Sequence, residues 1–486
     1  MRRLADHPAA AWLLAAVAFG LAAASARPFA GSWNDGSRLA AVESLLDRGT
    51  FAIDDSVFCK TPQRLLDDGH LPYPPDRYDL HLFGTLDKLF VRGHYHSDKP
   101  AVISVLMAGI YQPFMWLGVP GPGERPDLFA WVMTVLTSGL GYAAAVGCLW
   151  TLGTRIGLSP GWRLVWLASF ALCTFAPTYT RHVNNHAMQL GVVAGICVLM
   201  LRLSDVTRNE RTPWASLIAL GTLAGLGFNL DFGSGPPLVA FVGAAVWWRS
   251  RQWKPVLVYT LAVLPWVIAG LGLNYAIGGV WLPLSMYPEH FNFPGSPFSE
   301  ENLTGFSRHY TLDQLLYGGA MLVGKHGFWN HNLPIFLMVG AGWRVLRREF
   351  AGRSELLFLL GWCAASWLMY AVLSNNMGGG CCSMRWFMPF LAPSYWLLGV
   401  LLRDRPEYRA DFAALSAWGG VLAVIMWWNG PWILRMVPMM WPVVGCALLT
   451  WGGVAWRRWK HSGRITSTVF SPLAASQTVP AKPRAA

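Results

Sequence analysis

The stretch "AVISVLMAGIYQPFMWLGV", residues 101–119, decides how this chain of 486 residues is threaded through a membrane. The chain is 54% hydrophobic and only 13% charged, whereas an average soluble protein has about 25% charged residues. It also contains many apolar runs close to the roughly 20 residues that an α-helix needs to cross a bilayer. These properties predict an all-α, polytopic membrane protein.

About twelve of the apolar runs are predicted to be transmembrane helices. They cover residues 8–26, 128–151, 164–179, 186–201, 214–230, 235–248, 255–275, 328–343, 355–373, 386–402, 412–428 and 431–456. Residues 101–119 form one further run. Including that run among the spans reverses the side of the membrane on which every later loop falls.

The distribution of arginine resolves this choice. If residues 101–119 cross the membrane, the arginine-rich loops at 202–211 and 344–353 lie outside. If they do not cross, these loops lie in the cytoplasm, as the positive-inside rule requires. Residues 101–119 are therefore predicted to form a juxtamembrane helix, and both termini are predicted to be cytoplasmic.

This topology divides the chain into four parts. They are a first transmembrane helix (1–26), a first outer loop with juxtamembrane helices (27–119), a transmembrane bundle (120–456) with a long outer loop at 276–330, and a polar, disordered cytoplasmic tail (457–486). The formal net charge of +12 is concentrated in the inner loops, so the predicted partner of these basic residues is the membrane and not a nucleic acid.

The outer loops hold the unusual polar residues, beginning with "WNDGSRLAAVESLLDRG" at 33–49. Leu39, Val42 and Leu46 recur at helical spacing. Asp35 stands near the start of this helix, where a carboxylate serves either as a helix cap or as a catalytic base. Glu43 follows on the apolar side and is a second candidate catalytic carboxylate.

A second motif is "GHYHSDKPAVISVL" at 93–106. Pro100 suits the first turn of a helix, and a helix N-terminus presents free N–H donors and partial positive charge. With the charge of Lys99 these predict a phosphate site. The alternative is a lysine that snorkels beside lipid headgroups. His96 and Asp98 are candidate substrate-binding residues.

Two further outer segments, "TYTRHVNNHA" (178–187) and "SNNMGGGCCSMRWF" (374–387), carry arginines at the ends of predicted spans. Arg181 and Arg385 are candidate phosphate ligands, because a guanidinium binds phosphate with two parallel hydrogen bonds. The alternatives are a solvated turn for the first and an interface marker for the second. Polar neighbours of Arg181 are candidates for binding a sugar, namely His182, Asn185 and His186.

One more outer motif is "NLDFGSGPP" at 229–237, where Asp231 is predicted to cap the helix that follows. Cys59, Cys381 and Cys382 also lie in predicted outer loops, and an oxidising compartment permits disulfides there. No specific pairing of these three cysteines follows from the sequence.

The order of these motifs resembles the GT-C superfamily of integral-membrane glycosyltransferases. It is similar to the bacterial branch near protein O-mannosyltransferases and the lipid A aminoarabinose transferase. The resemblance rests on "NDGSRLAAVESLLDRGTFAID" (34–54), "GHYHSDKP" (93–100) and the pattern of spans to about residue 400. It implies a multi-pass protein of the bacterial inner membrane that transfers a sugar from a polyprenyl-phosphate donor to a lipid, glycan or protein acceptor on the periplasmic face, without a metal or cofactor.

The resemblance also implies residue roles. Asp35 matches the acidic residue of the first outer loop, a general base or acceptor-orienting group. Lys99 matches the lysine that holds the carrier-lipid phosphate, and Arg181 or Arg385 would help to neutralise that phosphate as it departs. Here Asn34-Asp35-Gly36 stands where the family has a pair of acidic residues, so the sequence leaves open whether Glu43 assists Asp35. Direct displacement would invert the anomeric centre.

Three other functions compete with this one. A transporter needs a polar path at mid-membrane, yet the predicted spans contain almost no charged residues and no internal repeat is visible. A non-catalytic binder of sugar lipids with the same fold stays open, because fold constrains function only loosely. An oligosaccharide ligase or polymerase stays open within the enzyme class.

Overall fold

The computed structural model of the chain describes residues 9–206, 213–299, 303 and 311–469. Within those residues the fold is almost entirely helical, and its one sheet has two strands. The predicted all-α class is therefore confirmed for the described part of the chain.

The first outer loop follows helix α1 and is more structured than the sequence suggested. The elements are α1 (Ala10–Ser25), α2 (Trp33–Arg48), α3 (Gln63–Asp68), α4 (Tyr78–Phe83), β1 (Lys88–Val91), β2 (His94–Ser97) and α5 (Ala101–Trp116).

The rest of the described chain is a bundle of long helices. They are α6 (Pro126–Arg155), α7 (Pro160–Leu172), α8 (Asn185–Val206), α9 (Trp214–Leu230), α10 (Gly235–Ser250), α11 (Trp253–Gly278), α12 (Thr311–Val323), α13 (Ile335–Leu346), α14 (Arg353–Leu373), α15 (Leu391–Asp404), α16 (Arg409–Asn429) and α17 (Met440–Val469). Helix α6 contains a π-helical turn at Val135–Gly139, and 3₁₀ turns at Ala176–Arg181 and Arg385–Phe390 precede α8 and α15.

Five helical segments of the described chain are long and apolar enough to cross a membrane. They are Pro126–Arg155, Asn185–Ser204, Trp253–Gly278, Arg353–Leu373 and Pro406–Asn429. The structure thus has the helices of a multi-pass membrane protein, but the predicted number of about twelve spans is not confirmed. Helix α7 is one reason, because it ends at Leu172 instead of 179. Pro177 cannot continue an α-helix, since it lacks an N–H and its ring clashes with the preceding turn.

Several predicted boundaries differ from the structure, and two of these differences concern the tail and the long outer loop. Helix α17 continues to Val469, through the first part of the tail predicted to be disordered from residue 457, and residues 470–486 lie outside the described residues. The predicted outer loop 276–330 contains helix α12. Its residues Leu312, Leu315 and Leu316 recur at helical spacing and are exposed, so the helix is amphipathic with an exposed apolar face. Residues 300–302 and 304–310 of that loop are not among the described residues.

Helix α5 has the one-sided burial of a helix that lies on a surface. Ile103, Met107 and Tyr111 are buried against the core, whereas Ile110 and Trp116 on the opposite side are exposed. The helix packs on α2 and also contacts α11. This burial on one side agrees with the predicted juxtamembrane helix.

Helix α2 is inserted into the protein interior. Its N-cap is Ser32, whose side chain accepts a hydrogen bond from the Asn34 N–H, and its C-cap is Gly49 in the left-handed conformation. Residues 34–44 are all buried, including polar residues at the start of the helix. The interior therefore receives both the apolar face of α2 and a set of charged groups.

The hairpin β1–β2 was not predicted. Arg92 and Gly93 both have positive φ, at 52° and 86°, which is the backbone of a tight two-residue hairpin turn. Leu89 pairs with His96 in the antiparallel register, and the second strand ends at Ser97. The hairpin therefore delivers Asp98 and Lys99 directly to the start of α5.

Candidate functional site

Arg38 is the buried cation around which the candidate site is built. Its side chain projects from α2, the residue is 4% exposed, and its Nη2 donates to Asn185 Oδ1 at 2.8 Å. Its Nε and Nη1 groups are buried and meet no hydrogen-bond acceptor in the described part of the chain. Burial lowers the pKa of Arg38 to about 10, so the guanidinium stays charged at neutral pH. A buried guanidinium with two unpaired N–H groups can bind an anion, because each N–H group can donate a hydrogen bond to it.

Lys99 lies beside this arginine and bridges two carboxylates. Its Nζ is 2.9 Å from Asp87 Oδ2 and 2.6 Å from Asp98 Oδ2. Asp87 immediately precedes β1 and Asp98 immediately follows β2, so the hairpin holds the two carboxylates together. Burial raises the pKa of Asp98, because it favours the neutral acid more than Lys99 favours the carboxylate. Burial opposes ionisation of Asp87 too, but the Lys99 ammonium holds the pKa of Asp87 below its ordinary value.

Two serines tie the hairpin to α2. Ser37 Oγ lies 2.6 Å from Ser97 Oγ and donates to Asp98 Oδ1 at 3.1 Å. The Lys99 N–H donates to Ser97 Oγ at 3.2 Å. Because Ser37 and Arg38 are adjacent in α2, these hydrogen bonds hold the Asp98 carboxylate near the Arg38 guanidinium.

Arg385 supplies a second guanidinium to the same place. Its Nε and Nη1 are buried without a hydrogen-bond partner among the described residues, and its guanidinium carbon lies 5.4 Å from the centre of the Trp432 ring. Its positive charge is close enough to lower the pKa of both Arg38 and Asp87. Together these side chains form what we call the charged cluster, which consists of Arg38, Asp87, Asp98, Lys99 and Arg385. Its three cations and two carboxylates give these five residues a formal charge of +1, and the Asp35 carboxylate acts on Arg38 from outside the cluster.

A cleft reaches the charged cluster beside the first turn of α5. One wall is formed by His96 to Ala101, and the other by Asn274, Ile277 and residues 283–285. His96 Nδ1 lies 3.1 Å from the Phe51 carbonyl oxygen, and burial lowers the pKa of His96, so the ring is neutral at pH 7. Asp98 and Lys99 line this cleft together with His96, and its free volume of about 20 Å³ is close to that of one water molecule.

Asp35 lies at the third position of α2 and completes a capping box with Ser32. Its oxygens accept hydrogen bonds from Gly31 N at 2.6 Å, Ser32 N at 2.8 Å and Ser32 Oγ at 2.6 Å, and His182 Nδ1 is 3.4 Å away. Ser32 and not Asp35 is therefore the N-cap. The side chain is fully buried, so Asp35 has no surface open to a substrate in this structure.

Glu43 lies two turns further along α2, about 12 Å from Asp35 by the rise of an α-helix. Both of its oxygens bind Arg48, at 2.9 and 2.7 Å. The structure therefore does not bring the two predicted catalytic carboxylates together, because residues eight apart on one helix cannot share a reacting atom. Glu43 instead holds the C-terminal end of α2.

Arg181 is not brought into the charged cluster. Its guanidinium donates to the carbonyl oxygens of Trp427 and Trp428 at the end of α16, and it also lies over the Trp427 ring. It satisfies backbone acceptors that a helix C-terminus leaves free. Its neighbour His182 instead contacts the Phe29 carbonyl oxygen, with Nδ1 at 3.3 Å, and lies beside Asp35.

Asn185 and His186 lie at the start of α8, next to the charged cluster. Asn185 is a bridge, since its oxygen accepts from Arg38 and its nitrogen donates to the Leu230 carbonyl oxygen at 2.6 Å. His186 is buried, and its Nδ1 has no partner in the described chain. Asn185 thus positions Arg38, while His186 adds one more unpaired polar group.

Sequence reasoning missed Arg38 and Asp87. Arg38 lies one turn after Asp35 and one turn after Asn34, and it is followed on the same helix by the apolar run Leu39 to Val42. A basic residue on that face was a signal for a buried ion pair or anion site. Asp87 carried no comparable signal, because only the hairpin brings it to Lys99.

Comparisons with known proteins give few matches. No protein-family model matches the chain, and neither does any curated protein. Among solved structures, the chain is similar to ArnT from Cupriavidus metallidurans in the apo state, with 13% identity, a TM-score of 0.46 and coverage of 92% of this chain and 75% of that chain. It is also similar to ArnT from the same organism bound to undecaprenyl phosphate, with 14% identity, a TM-score of 0.45 and coverage of 94% and 78%. At this level of similarity the matches assign no ligand and no role to any residue of this chain.

Proposed function

We propose that this protein is an integral-membrane glycosyltransferase that moves a sugar from a polyprenyl-phosphate donor to a hydroxyl group of an acceptor on the periplasmic face. The observation that carries the proposal is the pair of buried guanidinium groups of Arg38 and Arg385, whose unpaired N–H groups lie next to the carboxylates around Lys99. This arrangement combines donors for a phosphate with a base for a hydroxyl.

The charges match such a donor. A sugar linked to a polyprenyl phosphate carries one negative charge on its phosphodiester, which is opposite in sign to the formal +1 charge of the five residues of the charged cluster. When the bond between the anomeric carbon and the phosphate oxygen breaks, the departing phosphate gains a second negative charge. Arg38 is already buried and held by Asn185, and Arg385 presents two buried N–H groups, so both can stabilise that charge with little rearrangement.

Lys99 has a second role in this proposal. Its ammonium is occupied by Asp87 and Asp98, so it is a weaker phosphate ligand than the two arginines while those contacts last. As the phosphate gains charge, the Lys99 ammonium, which belongs to the charged cluster, helps to stabilise the added negative charge. Arg181 is not proposed as a phosphate ligand, because it caps α16.

The general base is proposed to be Asp98. It lines the cleft, and its raised pKa makes it a better proton acceptor than an ordinary aspartate. The acceptor oxygen attacks the anomeric carbon as its proton moves to Asp98, and the polyprenyl phosphate leaves, so the anomeric centre inverts. Asp35 is the other candidate base, and it acts only if its capping hydrogen bonds open.

Single-turnover transfer from a panel of radiolabelled polyprenyl-phosphate sugars, with membrane extract as acceptor source, tests the proposal. Wild type is expected to form labelled product, with or without EDTA, because arginine supplies the charge stabilisation. Asp98→Asn is expected to form at least about 100-fold less product, the usual contribution of a general base. Loss of transfer in Asp35→Asn together with full transfer in Asp98→Asn would identify Asp35, and not Asp98, as the general base. Donor binding without transfer by wild type would instead identify a non-catalytic binder.

A further inference from the structure

The corner between α9 and α10, residues 230–234, touches the supports of both arginines. We infer that this corner, through Asp231 and Tyr370, positions Arg385 relative to Arg38 and so sets the spacing of the two phosphate-binding groups. The inference rests on the proposed function, because it assumes that the two arginines bind one phosphate. It gives the motif "NLDFGSGPP" a role beyond capping a helix.

The link to Arg38 is direct. The Leu230 carbonyl oxygen accepts a hydrogen bond of 2.6 Å from Asn185 Nδ2, and the other end of the same amide accepts from Arg38 at 2.8 Å. An amide held at both ends cannot rotate without losing one of these bonds. The position of the Arg38 guanidinium is therefore tied to the backbone of the corner.

The link to Arg385 runs through two aromatic rings. The Tyr370 hydroxyl, from α14, lies 2.7 and 2.8 Å from the two oxygens of Asp231. Its ring is stacked on Trp386, with ring centres 4.2 Å apart and planes at 11°. Trp386 is the next residue after Arg385, so a shift of the Tyr370 ring moves the backbone that carries the second guanidinium.

Asp231 is itself held firmly. It accepts hydrogen bonds from Ser234 Oγ at 2.6 Å and from the Gly233 N–H at 3.2 Å. A Cβ atom on Gly233 would overlap the Tyr370 hydroxyl, so the close approach requires glycine there. Ser234 Oγ also accepts from Gln189 of α8 at 2.9 Å, which adds a third connection between the corner and the helix that bears Asn185.

The experiment is a double-mutant cycle read out by binding of decaprenyl phosphate to the full-length purified protein. Tyr370→Phe keeps the ring and removes only the hydroxyl, and it is expected to weaken binding about 10-fold, the size of one hydrogen bond to a charged group. In the Arg385→Gln background the same change is expected to have no further effect, because Tyr370 acts through Arg385. Asp231→Asn retains an oxygen for the Tyr370 hydroxyl and is expected to bind more tightly than Tyr370→Phe.

Tyr259→Phe is the matched control. Its hydroxyl donates to the Val239 carbonyl oxygen at 2.7 Å, in a buried place between α10 and α11, so this change removes a similar bond without touching the corner. It is expected to leave binding unchanged.

Two results would overturn the inference while the proposed function stands. One is a double variant whose loss of affinity equals the product of the losses in the two single variants, and the other is an unchanged affinity in Tyr370→Phe. If Tyr370→Phe does not fold, Asp231→Ala, which removes both acceptors of the Tyr370 hydroxyl, answers the same question in the two Arg385 backgrounds. Wild type that binds no decaprenyl phosphate would overturn the proposed function and the inference with it.

Discussion

Replacing Arg38 by methionine is expected to separate stability from function. In the unliganded protein, Arg38 is a buried cation with one hydrogen bond and two unpaired N–H groups. Its pKa falls from 12.5 to about 10 on burial, which corresponds to about 3 kcal/mol of destabilisation of the charged form. Because neutral pH lies below both values, this cost is fully present there. It disappears only above the ordinary arginine pKa, where the residue is neutral in both states.

Methionine of similar length removes that cost and leaves one unsatisfied oxygen on Asn185. An unsatisfied buried acceptor costs about 1–3 kcal/mol, so the two effects nearly cancel or leave a small gain. Arg38→Met is therefore expected to unfold at a temperature no lower than wild type. The same change removes two unpaired donors from the phosphate site, which at about 1.5 kcal/mol each corresponds to roughly 100-fold weaker binding.

The assay combines thermal unfolding in detergent with decaprenyl phosphate binding. Arg163→Met is the control, because Arg163 is also buried but donates to Thr154 Oγ1 at 2.7 Å and stacks over Trp150. It is expected to lower the unfolding temperature and to leave lipid binding unchanged. A clear loss of stability in Arg38→Met, or unchanged lipid binding, would refute the reasoning that the two unpaired N–H groups of Arg38 serve a ligand.

Two further predictions concern carboxylates. Transfer activity is expected to rise with pH through the pKa of Asp98, which lies above the ordinary aspartate value, and a rate–pH profile whose acidic limb is unchanged in Asp98→Asn would contradict this. Glu43→Gln breaks the two-pronged pair with Arg48 and leaves a half-buried guanidinium without its counter-ion, so the thermal midpoint is expected to fall by several degrees. Decaprenyl phosphate binding in Glu43→Gln is expected to match that of wild type. Loss of this binding would show that Glu43 contributes to the phosphate site.

The sequence determined the features of this protein that depend on local patterns. Apolar runs place the helices of the bundle, and the short apolar stretch after Pro100 becomes α5 because a proline start and helical periodicity are properties of neighbouring residues. Lys99, Asp98 and Arg385 were identified for the same reason, since unusual charge next to an apolar run is visible without any tertiary contact. The number of spans does not follow from the apolar runs alone, because a proline at the end of a run can shorten the helix, as Pro177 does after α7.

Only the tertiary structure decided which of these charges meet. Arg38 finds Asn185 across 147 residues of sequence, and Arg181 finds α16 across almost 250, so neither partner could be read from spacing. Asp35 and Glu43 share a helix and looked like a pair, yet one is enclosed by its own capping box and the other by Arg48. A side chain forms hydrogen bonds with whatever groups lie within a few ångströms of it in space, however far apart the partners are along the chain. For that reason the sequence favoured Asp35 as the centre of the candidate site, whereas the folded structure places Arg38 there.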